Sequence, residues 1–216
     1  MFFPYKDDNP RILFPFVTYT IIGINSLVFI YQYLILPPEL LGHIISTYAL
    51  TPADPSVITV FTSMFMHGGL MHIIFNMWFL WIFGDNIESV LGHKRYVVFY
   101  LICGVGAALA QIQINTGSQI PMVGASGAIS GVLGAYMISF PKAKVHVFAF
   151  IIIFITTLTV PAQIVLGLWF FVQLSSGLNS LGIDTNGGVA WFAHIGGFIS
   201  GVGSIKYIQN YKIEGK

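Results

Sequence analysis

Of the 216 residues, 8% are charged and 56% are hydrophobic, with a mean hydropathy of +0.81, whereas a soluble domain carries about one-quarter charged residues. The chain is therefore read as an integral membrane protein. Its net charge of +1 leaves no basic excess to neutralise phosphates, which excludes nucleic acid as a partner. A single cysteine, Cys103, excludes an intrachain disulfide and a cysteine-based metal cluster. It lies in an apolar run and reads as packing.

The opening MFFPYKDDNPRILFPF has no compact basic, apolar and small-residue cleavage pattern, so the first apolar run is expected to be a retained span. Residues 1–14 read as a polar tail. Residues 16–36 carry no charge and are about long enough to cross roughly 30 Å of hydrocarbon as a helix. Pro37 and Pro38 end that span. Residues 39–63 form a long connector with amphipathic patches ELLGHIISTYAL and VITVFTSMFM, and connectors of this length are often functional.

The second predicted span, 66–90, carries His67, His72 and Asn76 and closes in a polar GDNIES run. A basic turn at 92–95 leads to the third, 96–114, and a polar loop at 115–119 to the fourth, which contains PMVGASGAISGVLGAY at 121–136 and stops near Pro141. The run VHVFAFIIIFITTLTV that follows is ambiguous by periodicity. It is taken as a membrane-embedded or interfacial connector, with the fifth span centred on 162–176, an external loop at 177–188 and the sixth span at 189–207.

Charge supports this count. With the N-terminus inside and six spans, all nine Lys and Arg residues fall on one side of the membrane, the positive-inside pattern. A further span at 145–160 would put Lys206, Lys212 and Lys216 outside. The expectation is an all-α membrane protein with both termini cytoplasmic: a tail at 1–14, a six-span domain at 15–208 and a second tail at 209–216.

Polar groups inside hydrocarbon are expensive and usually face a cavity or a partner. His72, Asn76, Ser126 and His194 stand out. Ser126 alone reads first as packing, because small residues are common where membrane helices touch. However, spans two, four and six all start at the outer face under this topology, and Ser126 and His194 lie a few residues into theirs. His72 and Asn76, four apart, share a helix face. Gly127 and Gly131 follow Ser126, and Gly197 and Gly201 follow His194; such small-xxx-small faces permit close backbone contact. If those faces meet, serine and histidine occupy one layer.

A serine hydroxyl needs an adjacent base, and a neutral imidazole is suited to that role. No Asp or Glu lies in the outer half of a predicted span. The expectation is a Ser126 and His194 dyad without a carboxylate, with His72, Asn76 and the Ser126 backbone N–H as oxyanion donors and Gly124 leaving room for a substrate backbone.

The motifs HGGLMHIIFN, GASGAISG and AHIGG, in this order on alternate spans, resemble the rhomboid family of intramembrane serine proteases over nearly the whole chain. The resemblance implies Ser126 as nucleophile, His194 as general base and then acid, and His72 and Asn76 as oxyanion donors. It implies membrane-spanning substrates cut near the outer face, a first connector that dips into the bilayer, and span five as a lateral gate. Two departures stand out. The Trp-Arg pair common in that connector is absent, with Ile58 and Thr59 at the matching positions, and Ser130 replaces an aromatic residue that stacks on the histidine in some members.

Several of these residues also have a purely structural reading. Asn76 serves equally as interhelical glue, worth about 0.6 kcal/mol, and His67 as a structural histidine. Gly84, Asp85, Asn86 and Glu88 read as capping and bridging to Arg11 or Lys94, and Trp78, Trp81, Trp169 and Trp191 as packing or interfacial anchors. His43, His93 and His146 carry no signal. A zinc protease would require H-E-x-x-H, and a transporter would require repeated halves; neither pattern is found. No metal or cofactor is expected. The alternative is a catalytically inactive rhomboid-like protein that binds membrane helices. Compactness and six spans suggest a prokaryotic plasma membrane, with organellar membranes left open.

Overall fold

A computed structural model describes residues 2–10, 12–151, 154–181 and 188–210. The expected bridge to Arg11, residues 182–187 of the expected 177–188 loop and the tail beyond residue 210, with Lys212 and Lys216, lie outside the described residues. The chain is mainly helical. Helix α1 (Phe16–Ile30) starts behind Pro15 and runs into a π-helical turn (Tyr31–Ile35). The connector folds into α2 (Pro38–Tyr48), with Pro38 in its first turn, and α3 (Val57–Thr62). Then come α4 (Leu70–Leu91), α5 (His93–Ile114), α6 (Ser126–Ser139), α7 (Ala162–Ser180) and α8 (Trp191–Asn210). By length and composition Phe16–Ile35, Leu70–Leu91, His93–Ile114 and Ala162–Ser180 can each cross a membrane. Helix α6 is shorter, at 14 residues.

A small sheet accompanies the helices. The 145–160 run, expected as a membrane-embedded or interfacial connector, is an antiparallel hairpin of β2 (Lys144–Ile151) and β3 (Phe154–Pro161), the form favoured by its β-branched and aromatic residues. Val145 and Val147 point inward on alternate positions. Residues 1–14 are not simply a tail: β1 (Phe2–Asp7) pairs with β2 at the sheet edge, where Pro4 is tolerated. Trp78 Nε1 donates to the Pro4 carbonyl (2.8 Å) and Phe3 packs among Phe75, Trp78 and Phe79, which docks the sheet on α4. Asp7 accepts from Tyr136 Oη (2.5 Å) and Asn86 Nδ2 (3.0 Å). Burial, with the nearby Asp85 adding to it, pushes its carboxyl above the usual range.

Glu88, read from the sequence as capping and bridging, caps the start of α1. Its fully buried carboxylate accepts from the backbone N–H groups of Val17 and Thr18 (both 2.8 Å), the Thr18 hydroxyl (2.7 Å) and His93 Nδ1 (2.5 Å). First-turn amides have no intrahelical acceptor and the helix N-terminus favours an anion. Glu88 thus ties α4 to the start of α1 and to the start of α5. Glu88→Ala, which orphans those donors, is expected to destabilise the fold by about 3 kcal/mol, read as unfolding free energy in detergent.

Helix α6 is buried continuously from Gly127 to Tyr136, as befits the central element of the bundle. It meets α8 through the predicted glycines. A Cβ at Gly197 would run into the Gly127 carbonyl oxygen, and one at Gly201 into that of Gly131. On its other flank α6 packs on α5, where Gly127 faces Ala107 and Gly131 faces Cys103. Gly201→Ala is expected to lower the unfolding free energy by about 2 kcal/mol. Gly203→Ala, with nothing within 4 Å of the added methyl, is the neutral control.

Candidate active site

Four elements converge on the N-terminal end of α6. Ser126 is the first residue of that helix, behind Gly124 at φ +129°, a conformation open in practice to glycine. The loop that delivers it is held by the connector: Leu50 and Met122 form a β-bridge, and Gly124 N–H donates to the Ser63 carbonyl (2.9 Å). The connector lacks the Trp-Arg pair but has other ties. Ser56 and Thr59 form a capping box at the start of α3, and the Thr62 hydroxyl donates to the Tyr48 carbonyl (2.7 Å).

His194 enters from the first turn of α8. The neighbouring Ala193 N–H donates to Gln111 Oε1 of α5 (3.2 Å), which anchors that turn. His194 Nε2 lies 2.8 Å from Ser126 Oγ, so the two residues predicted to share a layer are in hydrogen-bond contact. Its other ring nitrogen, Nδ1, lies 2.7 Å from Gln173 Oε1 on α7. The imidazole also has indole neighbours, Trp169 at 6.0 Å and Trp191 edge-on at 6.3 Å. Ser130 has a different task, donating to the Ser126 carbonyl (2.6 Å). Sequence reasoning missed Gln173 and left Trp169 and Trp191 as packing. The available signal was a glutamine within an apolar helix, four residues from Trp169 and hence on the same face.

His72 and Asn76 lie on the inner wall of the site on α4. A Cβ built on Gly124 would sit 2.7 Å from His72 Nε2 and 3.6 Å from Ser126 Oγ. The His72 ring therefore borders the space left by Gly124. His72 Nδ1 accepts from Gly68 N–H (3.4 Å), and Asn76 Nδ2 donates to the His72 carbonyl (2.9 Å). His67 was expected within the second span. It precedes α4 and is buried, its backbone N–H donating to Gln32 Oε1 (3.3 Å) and its carbonyl accepting from Tyr33 Oη (3.2 Å). A cavity of about 1320 Å³ runs along these groups, lined by His72, Asn76, Ser126, Trp169 and His194 and by the loop before α6. No group of three or more His, Cys, Asp or Glu able to hold a metal occurs among the described residues.

The profile of the Rhomboid domain family matches residues 54–210, which takes in His72, Asn76, Ser126, Gln173 and His194. The chain belongs to the rhomboid family. It is 30% identical to Rhomboid protein 1, mitochondrial, of Saccharomyces cerevisiae, over 93% of this chain and 54% of that one. Identity is 32% to the presenilin-associated rhomboid-like protein, mitochondrial, of Mus musculus, over 59% of this chain and 34% of the relative. It is 32% to the rhomboid protease GluP of Bacillus subtilis, over 65% of this chain and 24% of the relative. The rhomboid described here spans about half or less of the length of these relatives. It is a multi-pass membrane protein of a family whose members are in general intramembrane serine proteases.

Proposed function

We propose that this rhomboid is a serine endopeptidase that cuts transmembrane segments of membrane proteins near the outer face of the bilayer. The observation that carries the reading is the 2.8 Å contact between His194 Nε2 and Ser126 Oγ at the wall of a cavity. In the reaction, His194 takes the hydroxyl proton as Ser126 Oγ attacks the scissile carbonyl, then returns it to the leaving amine. Water, deprotonated by the same imidazole, releases the acyl group.

Oxyanion stabilisation falls to the start of α6 and to α4. Ser126 N–H belongs to a helix N-terminus, where backbone donors lack intrahelical acceptors and the dipole favours negative charge. His72 Nδ1 accepts a backbone proton, so Nε2 is the nitrogen that carries hydrogen and faces the site. The Asn76 amide has two hydrogens and bonds the His72 carbonyl with one of them, which leaves the other for the substrate.

Depth supports an intramembrane reaction. At ~1.5 Å per residue, the 14-residue α6 is ~21 Å long against ~30 Å of hydrocarbon. With its inner end at the membrane boundary, Ser126 lies some ~10 Å below the outer surface and draws water through the cavity. The proposed topology keeps six spans with both termini on the cytoplasmic side. In its support, contacts gather basic residues at one end of the bundle: β1, with Lys6, pairs with β2, which starts at Lys144, and Arg95 reaches the Gln209 carbonyl. The expectation of a prokaryotic plasma membrane is not carried forward, since the similar proteins include both mitochondrial rhomboids and a bacterial one.

Cleavage of a single-span reporter in liposomes tests the reading. Ser126→Ala and His194→Ala are expected to abolish turnover with the fold intact. Asn76→Ala is expected to lower the rate by about 100-fold, and a chelator to have no effect. Cleavage that survives Ser126→Ala would remove Ser126 as nucleophile. A folded wild type that binds reporters and cuts none would point to a helix-binding rhomboid instead.

A further inference from the structure

We infer that Gln173 is a positioning residue that selects the tautomer of His194, and so makes α7 part of the catalytic apparatus. The inference deepens the proposed function and rests on it for its catalytic consequence.

The argument begins with the inventory of donors. A neutral imidazole has one N–H and one bare nitrogen, and which is which follows from the neighbours. A dyad without a carboxylate has no charged group to make that choice. Here Gln173 Oε1, an oxygen that can only accept, lies 2.7 Å from His194 Nδ1. With the amide oxygen turned to His194, the proton sits on Nδ1. The bare nitrogen is then Nε2, which lies 2.8 Å from Ser126 Oγ and is ready to take its proton. The opposite tautomer would place an N–H against the serine hydroxyl and would require the Gln173 amide to turn its Nε2–H towards Nδ1. It would be unable to act as base towards Ser126.

The surroundings are those of a held group. The Gln173 side chain is buried, 7% exposed, on a helix whose outward residues Leu168, Phe171 and Val172 are bare to the surroundings. Water competes poorly for a hydrogen bond in such a place. Trp169, one turn earlier on the same face, lies beside the imidazole, so α7 supplies both a ring neighbour and the acceptor. The nucleophile on α6, the base on α8 and the orienting group on α7 form a relay across three helices. If α7 moves away by the length of one hydrogen bond, His194 loses its preference and the dyad is disarmed.

Two substitutions separate positioning from packing. Gln173→Met keeps length and volume and removes the oxygen; Gln173→Glu keeps an oxygen that only accepts. In reporter cleavage, Gln173→Met is expected to lower kcat roughly 10- to 100-fold with KM within about twofold of wild type. Gln173→Glu is expected to recover most of that loss. Ring-15N histidine spectra in micelles, with His194 assigned through His194→Ala, give a readout independent of turnover: an Nδ1–H tautomer in wild type and Gln173→Glu, and loss of that preference in Gln173→Met. Unchanged nitrogen shifts in a folded Gln173→Met, or a Gln173→Glu variant as impaired as Gln173→Met, would overturn the inference. If wild type cuts no reporter, the proposed function fails while the spectra still decide the tautomer.

Discussion

The approach of α6 to α8 is the constraint on which the site depends. A serine and a histidine 68 residues apart in sequence share a 2.8 Å contact because the backbones carrying them pass closer than any side chain would allow. Gly197 lies against the Gly127 carbonyl and Gly201 against that of Gly131, one turn apart. Between apolar helices in lipid there is no hydrophobic gain from association, and close van der Waals packing takes its place. The same glycines that hold the bundle together therefore set the geometry of the dyad.

Around that contact, polar groups are satisfied by elements that otherwise have little to do with one another. Gln111 of α5 receives the Ala193 N–H, the connector receives Gly124 through Ser63, and Gln173 of α7 meets His194. At the other end, Glu88 gathers the first turn of α1 and His93 of α5. Away from water each unpaired group would be costly, so these bonds specify one arrangement rather than merely adding stability. The cavity beside Ser126 and His194 is where polar side chains line open space instead of filling it.

The three-stranded sheet has a separate function in the architecture. It closes the end of the bundle opposite the site, with β1 held to α4 by Trp78 and to α6 through the Tyr136 and Asp7 pair. A chain segment that carries Pro4, Lys6 and two aspartates cannot bury itself as a helix in lipid. It is ordered here by an edge offered by β2. His146, which sequence reasoning passed over, pairs with Asp8 at 2.7 Å on the exposed side of this sheet and helps hold the edge.

By itself the sequence determined the membrane class, the glycine faces and the family, because each rests on local composition or on short motifs whose order survives in one dimension. Low charge and long apolar runs settle the solvent, and small residues at a spacing of four settle a packing face, before any fold is known. Only the tertiary structure decided the rest. Gln173 is an unremarked glutamine until α7 is laid against α8. Gly124 meets the His72 ring only in the folded chain, and the 145–160 hairpin gains its third strand when β1 arrives from the far end of the chain. These are contacts between residues 21, 52 and more than a hundred positions apart, and no periodicity along the chain encodes which partner space will supply.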